Sequence, residues 1–260
     1  MSEGSQVSET AISRAIVESY YRKLSSRMES DVMVVGAGPS GLVAASHLAA
    51  AGKRVTVLEK RLTPGGGIWG GAVGMNEVVV QEEALSLVTA VGVSTVKRAG
   101  GLYTADATEL ACALCTQAIR AGAVLLNLML LEDLCVRDGR VTGVVANRSM
   151  IAGALPVDPI VFSAGAVVDA TGHEAVAVEQ LRKRGLLAST LLAGEGPMDA
   201  WAGESFVVER VAEPFPGLWV TGMSVCATFG GPRMGPIFGG MMLSGKRVAE
   251  MILELTVSSH

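Results

Sequence analysis

The stretch VVGAGPSGLVAASHLAAAGKRVTVLEK, from Val34 to Lys60, constrains this chain more than any other. Gly36, Gly38 and Gly41 form a G-x-G-x-x-G between an apolar run and an Ala- and Leu-rich segment that ends at Gly52. That order reads as strand, tight turn, helix and second strand, the βαβ unit that binds dinucleotides. Each glycine has its own task. Gly36 permits the turn, Gly38 lets the backbone approach a diphosphate, and Gly41 lets helix and strand pack closely. The helix N-terminus presents free N–H groups and the positive end of its dipole to the anion. Glu59 ends the second strand, where a carboxylate can hydrogen-bond a ribose. The fingerprint does not say whether a dinucleotide held this way moves electrons or serves another purpose.

The remaining composition has to suit that unit. Half of the 260 residues are hydrophobic, and the mean hydropathy is +0.44. No run of about 18 residues is uniformly apolar, the length a membrane helix needs. The best candidate, Gly235 to Leu255, is broken by Lys246, Arg247 and Glu250. The excess lies in Ala, Gly and Val, which suits tightly packed α/β layers and burial between subunits. A net charge of −4 without a basic run argues against a nucleic-acid partner. The polar N-terminus shows no export signal, so a cytoplasmic location is expected.

Cys112 and Cys115 form a C-x-x-C, but they lie in DATELACALCTQAIRAGA, which keeps helical periodicity throughout. Small thiols pack well on a helix, and no second C-x-x-C completes a zinc site.

Along the chain, residues 8–28 read as an amphipathic helix capped by Ser8 or Thr10, with Ile12, Ile16, Val17 and Tyr20 on one face. After the βαβ unit comes a glycine-dense loop, RLTPGGGIWGGAVGMN, then VVVQEEALSLVTAVGV, expected to be helical. A strand at AGGLYTAD and a helix from Ala107 to Gly122 follow, then strands with a hairpin at Asp138-Gly139. PIVFSAGAVVDATG is strand-rich and ends in a second glycine turn at Gly172. Glu174 to Arg184 reads as a charged helix, PGLWVTGM as a strand, and Gly235 to Leu255 as the closing helix. The terminal residues, including TVSSH, are expected to fray.

AVVDATG and PGLWVTGM resemble the second glycine element and the final strand of flavoproteins with two dinucleotide-binding domains. That resemblance implies an α/β, glutathione-reductase-like Rossmann fold. It would be a single domain over 1–260 with an inserted substrate region at about 61–165. Three stretches are more specific: PGGGIWGG, VDP followed by DATGHE, and PRMGPIFGGMMLSGK. With ISRAIVESYYRKL and VVVQEEA, they resemble the archaeal-type, sulfide-dependent thiazole synthase family of thiamine biosynthesis over nearly the whole chain.

The resemblance implies a function. NAD is a substrate in that family: nicotinamide leaves, the freed ribose opens to a ketone, glycine condenses with it, and sulfur enters to give ADP-thiazole. Fe(II) is the implied metal, with Asp158 and His173 as its ligands. A carboxylate and an imidazole suit Fe(II) and leave positions open. Read by itself, His173 is better explained as a structural histidine after a turn; the resemblance reverses that reading. Arg233 matches the clamp for the glycine carboxylate, and a guanidinium suits bidentate binding. Ser40, Lys60, Gly67 and Met223 join Gly36, Gly38, Gly41 and Glu59 as expected dinucleotide contacts. Met223 and Met234 could also be packing, and Glu174 could be a helix N-terminal acid. The family implies a homo-octamer whose neighbours share active sites.

The chain departs from the family pattern at one telling place. Eukaryotic relatives carry a sulfur-donating Cys two residues before the iron-binding Asp, and archaeal relatives carry His. Here the residue is Pro156. Proline can neither donate sulfur nor ligate a metal, so free sulfide is the expected source. Cys226 near TFGGPRMGP is a second candidate sulfur or a buried small side chain. A flavin-dependent oxidoreductase and a non-catalytic dinucleotide-binding protein remain alternatives on the same fold.

Overall fold

The computed structural model describes residues 8–153, 155–188, 190–192 and 194–257. The frayed ends expected from the sequence fall mostly on residues outside these.

Helix α1 (Glu9–Ser25) starts where Ser8 accepts a hydrogen bond from the Ala11 N–H. Its expected apolar face does not bury in the chain: Ile12, Ile16 and Val17 are all exposed. Tyr20 alone of that face packs on the body, where its hydroxyl meets the Arg148 guanidinium at 2.9 Å.

The βαβ unit follows as β1 (Glu29–Val35), α2 (Pro39–Ala50) and β2 (Val55–Glu59). Pro39 opens α2 at the one place where a missing N–H costs nothing. Gly36 has φ +103°, and a Cβ there would lie 2.4 Å from the Ala170 carbonyl oxygen. Gly41 touches the same turn, since its Cβ would strike the Gly36 oxygen.

The next segment corrects the sequence reading. Glu77–Gln81 is a strand, β3, and helix appears only after it, at α3 (Leu85–Ala90). Three consecutive valines explain the difference. β-Branched side chains favour extended backbone, and Val78 and Val80 bury alternately, as period two requires. β3 pairs with β5 (Leu102–Asp106), which also takes β4 (Val96–Lys97), in a separate antiparallel sheet. Asp106 caps α4 (Ala107–Arg120), the helix that carries Cys112 and Cys115 as free thiols.

The chain then returns to the main sheet through β6 (Val124–Asn127), the hairpin β7 (Met129–Arg137) and β8 (Arg140–Arg148), and β9 (Ile160–Asp169). Asp138 and Gly139 both have positive φ at the hairpin turn, as read from the sequence. Next come α5 (Val176–Lys183), β10 (Gly196–Met198), α6 (Ala200–Glu209), β11 (Ala212–Phe215) and β12 (Leu218–Val220). The chain ends with α7 (Met223–Phe229), β13 (Pro232–Arg233) and α8 (Gly239–Val257). α8 starts four residues later than expected. Gly235 has φ +77° and precedes Pro236, and both features oppose helix there.

Among the described residues the main sheet runs β11-β12-β9-β1-β2-β6, with β7 and β8 joined through β9. β12, β9, β1, β2 and β6 are mutually parallel. This is the expected Rossmann-type arrangement, with β1 at the centre and helices covering the sheet. The stretch 61–165 divides: β3, β4 and β5 stand apart, whereas β6 to β8 hydrogen-bond into the main sheet. No helix among the described residues is long and apolar enough to cross a membrane.

Two buried carboxyl groups organise the packing. Asp169, fully buried at the end of β9, accepts from the Thr171 N–H and hydroxyl, the Ser224 hydroxyl, and the N–H groups of Ala177 and Val178. Glu204 on α6 accepts from the Gly240 N–H at 2.6 Å, and its other oxygen is buried without a partner beside Gln81, whose Oε1 is also unpartnered. Burial pushes the Glu204 carboxyl up from 4.5 to about 7.

Two predictions follow from these groups. The raised Glu204 group stabilises the fold fully below pH 4.5, and that stability is lost as pH rises through about 7. The shift corresponds to about 3 kcal/mol. Glu204→Gln keeps the acceptor for Gly240 and adds a permanent donor. Thermal unfolding should show it roughly 5 °C more stable than wild type at pH 8 and nearly equal at pH 5. For Asp169→Asn, either amide orientation sets an NH2 group against backbone N–H donors. Denaturant unfolding at fixed protein concentration should show a loss of about 2–5 kcal/mol.

Candidate functional site

The site is a cavity of about 600 Å³ at the C-terminal ends of the parallel strands. This is where ligands bind in open α/β sheets, and the volume suits a ligand of nucleotide size. Two glycine loops form its floor. A Cβ on Gly38 would meet nothing within 4 Å, so the backbone there opens onto free space. Gly66, at φ +59°, lies so close to Gly38 that its own Cβ would be 2.9 Å from the Gly38 Cα. The turn at Gly65 is held by its N–H on the Ala37 oxygen at 2.7 Å.

Glu59 is buried on the cavity wall. One carboxylate oxygen accepts from the Ala37 N–H at 3.0 Å and the other from the Arg61 N–H at 2.8 Å. These bonds fix the side chain, and each oxygen keeps a lone pair for a ribose hydroxyl. Beside it, Lys60 Nζ lies 2.8 Å from Glu174 Oε2. That bond and charge hold the Glu174 carboxyl below its usual range.

The second glycine turn supplies His173. The Gly172 N–H donates to the Ser224 hydroxyl, itself bonded to Asp169. Ala175 adopts φ +38° to turn the chain into α5, whose Val176 N–H donates to the Thr171 hydroxyl and whose Ala177 and Val178 N–H groups donate to Asp169. His173 Nδ1 lies 2.6 Å from Glu195 Oε1. Glu195 precedes β10, which pairs with β13 and so sits beside Arg233.

The structure brings Gly36, Gly38, Ser40, Glu59, Lys60, Gly67, His173, Glu174, Met223 and Arg233 to this one cavity. Gly41 lies beneath the fingerprint turn as a packing residue. Asp158 does not line the cavity: it sits with Pro156 on an exposed loop. Within one chain the structure therefore does not join Asp158 to His173. No group of three or more His, Cys, Asp or Glu among the described residues could hold a metal. Met234 is fully buried and would collide with a Cβ on Gly203 of α6. Cys226 is buried, and burial together with the nearby Glu195 pushes its thiol up to about 12.

Sequence reasoning missed Glu195, Asp169 and Gly66. Gly66 carried a signal, since it stands in the glycine run PGGGIWGG. Asp169 lay in the quoted VVDATG without a role, and Glu195 had no local signal.

Comparison with known proteins shows the family. A thiamine thiazole synthase from Thermococcus kodakarensis is 50% identical over 248 residues, 95% of this chain and 98% of its own length. One from Thermotoga maritima is 49% identical over 244 residues, covering 94% and 96%. The crystal structure of Thermovibrio ammonificans THI4 superposes with a TM-score of 0.93 at 43% identity, covering 97% of this chain and 99% of that one. The Thi4 family model matches residues 13–238, and the chain belongs to the Thi4 family.

Proposed function

We propose that this chain is a thiazole synthase of thiamine biosynthesis that makes ADP-thiazole from NAD, glycine and free sulfide and releases nicotinamide. One observation carries the reading. In a Thi4-family chain, the dinucleotide fingerprint, His173 and Arg233 converge on one cavity, and no reactive protein sulfur is placed to enter it. Position 156 is proline, and the Cys226 thiol is buried with its ionisation pushed far above neutral pH.

The chain's own groups divide the work. Gly36 and Gly38 hold the diphosphate at the start of α2, and Glu59 takes a ribose hydroxyl. Arg233, exposed on the cavity wall, binds the glycine carboxylate through its planar fork. The Lys60–Glu174 pair sets a fixed charge pattern beside the ribose. By family resemblance Fe(II) would be held by His173, whose half-exposed imidazole reaches the cavity, together with Asp158 of a second copy, and it would supply Lewis-acid chemistry there. The exposed Ile12, Ile16 and Val17 of α1 and the exposed Trp201 of α6 support a homo-oligomer, an octamer by family resemblance.

Anaerobic incubation with Fe(II), NAD, glycine and sulfide should yield an adenylated thiazole by mass spectrometry over many turnovers, with no mass lost from the chain. A yellow protein carrying flavin absorbance, with no thiazole formed, would favour the oxidoreductase reading instead. Arg233→Lys should raise the KM for glycine at least tenfold and leave NAD affinity within about twofold, since a lysine cannot make the bidentate contact. Light scattering at micromolar concentration should give an octameric mass, and a monomer would remove the shared-site reading.

A further inference from the structure

The cavity wall beside the ribose-binding candidate Glu59 also carries two cations. Lys60 and Arg61 follow Glu59 directly, and all three line the cavity. In dinucleotide-binding folds an acid near the end of the second strand takes the adenosine ribose 2′-hydroxyl of NAD, whereas a nearby Arg accommodates the 2′-phosphate of NADP. This chain sets both kinds of group side by side, so Glu59 alone does not decide between the two nucleotides.

The fold engages those cations with a second acid. β2 and β9 flank β1, so the ends of the two outer strands stand roughly 10 Å apart. Lys60 leaves the end of β2, and Glu174 leaves the turn after β9. They are 114 positions apart in sequence, and their side chains meet at 2.8 Å. β1 runs into the fingerprint, so the pair joins the two sides of that turn. Lys60, by hydrogen bond and charge, and then Arg61, by charge, favour the ionised form of Glu174. Glu174 therefore occupies one cation directly and faces the other. With Glu59, this edge of the cavity holds two acids and two bases, and Lys60 is already taken. A phosphomonoester brings about −1.5 to −2 charge at pH 7, and here it would meet carboxylates from both strands' ends.

We propose that Glu174 is a specificity-determining residue: by engaging Lys60 it withholds the cation that a 2′-phosphate needs, so that the site selects NAD over NADP. This inference rests on the dinucleotide reading above and requires nothing of a metal. Both side chains of the pair stay half-exposed or more, and such a bridge adds little to fold stability. Its substitution therefore changes the charge that a ligand meets and leaves the protein folded.

Calorimetric titration with NAD and with NADP, each alone, tests the assignment. The quantity read is the ratio of the two dissociation constants in wild type, Glu174→Gln, Lys60→Gln and the double variant. Wild type is expected to bind NADP at least about 30-fold more weakly than NAD, since like charges set against each other reject the wrong partner. Glu174→Gln is expected to narrow that ratio about tenfold, because the freed Lys60 can pair with the phosphate. In the Lys60→Gln background the same change narrows it less than about threefold, the coupling expected of two residues in contact. An unchanged ratio in Glu174→Gln would overturn the proposal. So would an equal gain without Lys60, which would reduce Glu174 to plain repulsion, and so would a wild type that binds both nucleotides alike. Wild-type protein that binds neither NAD nor NADP would instead overturn the dinucleotide reading beneath it.

Discussion

The site depends on one carboxylate that does not line the cavity. Asp169 ends the strand beside β1 and gathers five donors from three segments. It caps α5, closes the Asp169–Gly172 turn and, through Ser224, anchors the start of α7. A buried group with that many acceptor bonds is costly to leave partly unmade, so the arrangement is all or nothing. Its consequence is positional. His173 leaves the turn in a fixed direction, and the wall of the cavity between fingerprint and second glycine turn becomes rigid. The Gly36 turn depends on the same place, because its missing Cβ makes room for the carbonyl of Ala170, the residue after Asp169.

The opposite wall is built differently. It comes from residues 230–238 and the ribbon of β10 and β13, short strands with little core of their own. Their support is borrowed: Phe238 donates to Val79 of the small sheet, and Met234 wedges against Gly203 of α6. Arg233 and Glu195 therefore ride on a lighter element than His173 does. The cavity is thus bounded by one wall held in the core and one carried on a lighter ribbon. Lightly packed elements open at lower free-energy cost than the core does.

These differences explain what the sequence disclosed. The fingerprint was legible because its requirement is local: Gly36 needs positive φ, Gly38 needs open space, and Gly41 needs close approach, each independent of the rest of the fold. The hairpin at Asp138-Gly139 was legible for the same reason. The strand at Glu77–Gln81 was misread because the apolar residues that follow it do form a helix, α3, whereas the three valines and their pairing with β5 decide the matter. β10, α6 and β11 left no reading at all: β10 pairs with β13, α6 packs on α8 and β13, and β11 pairs with β12, partners that no local period announces. Glu195 is the sharpest case. An acid between two glycines in a turn looks like solvent-exposed sequence until the ribbon sets it against an imidazole.

The same logic bears on where the sulfur comes from. A protein sulfur donor needs a thiolate within reach of the cavity. The chain's thiols fail on separate physical grounds. Cys112 and Cys115 lie on α4 and do not line the cavity, Cys135 lies mid-strand in β7, and Cys226 is buried where its ionisation is strongly disfavoured. The loop that carries sulfur in suicidal relatives holds Pro156 here, with Pro159 just beyond Asp158, and both rings restrict the backbone around that carboxylate. Proline at this position carries neither a sulfur nor a metal-binding atom, and with Pro159 it fixes the backbone on both sides of Asp158.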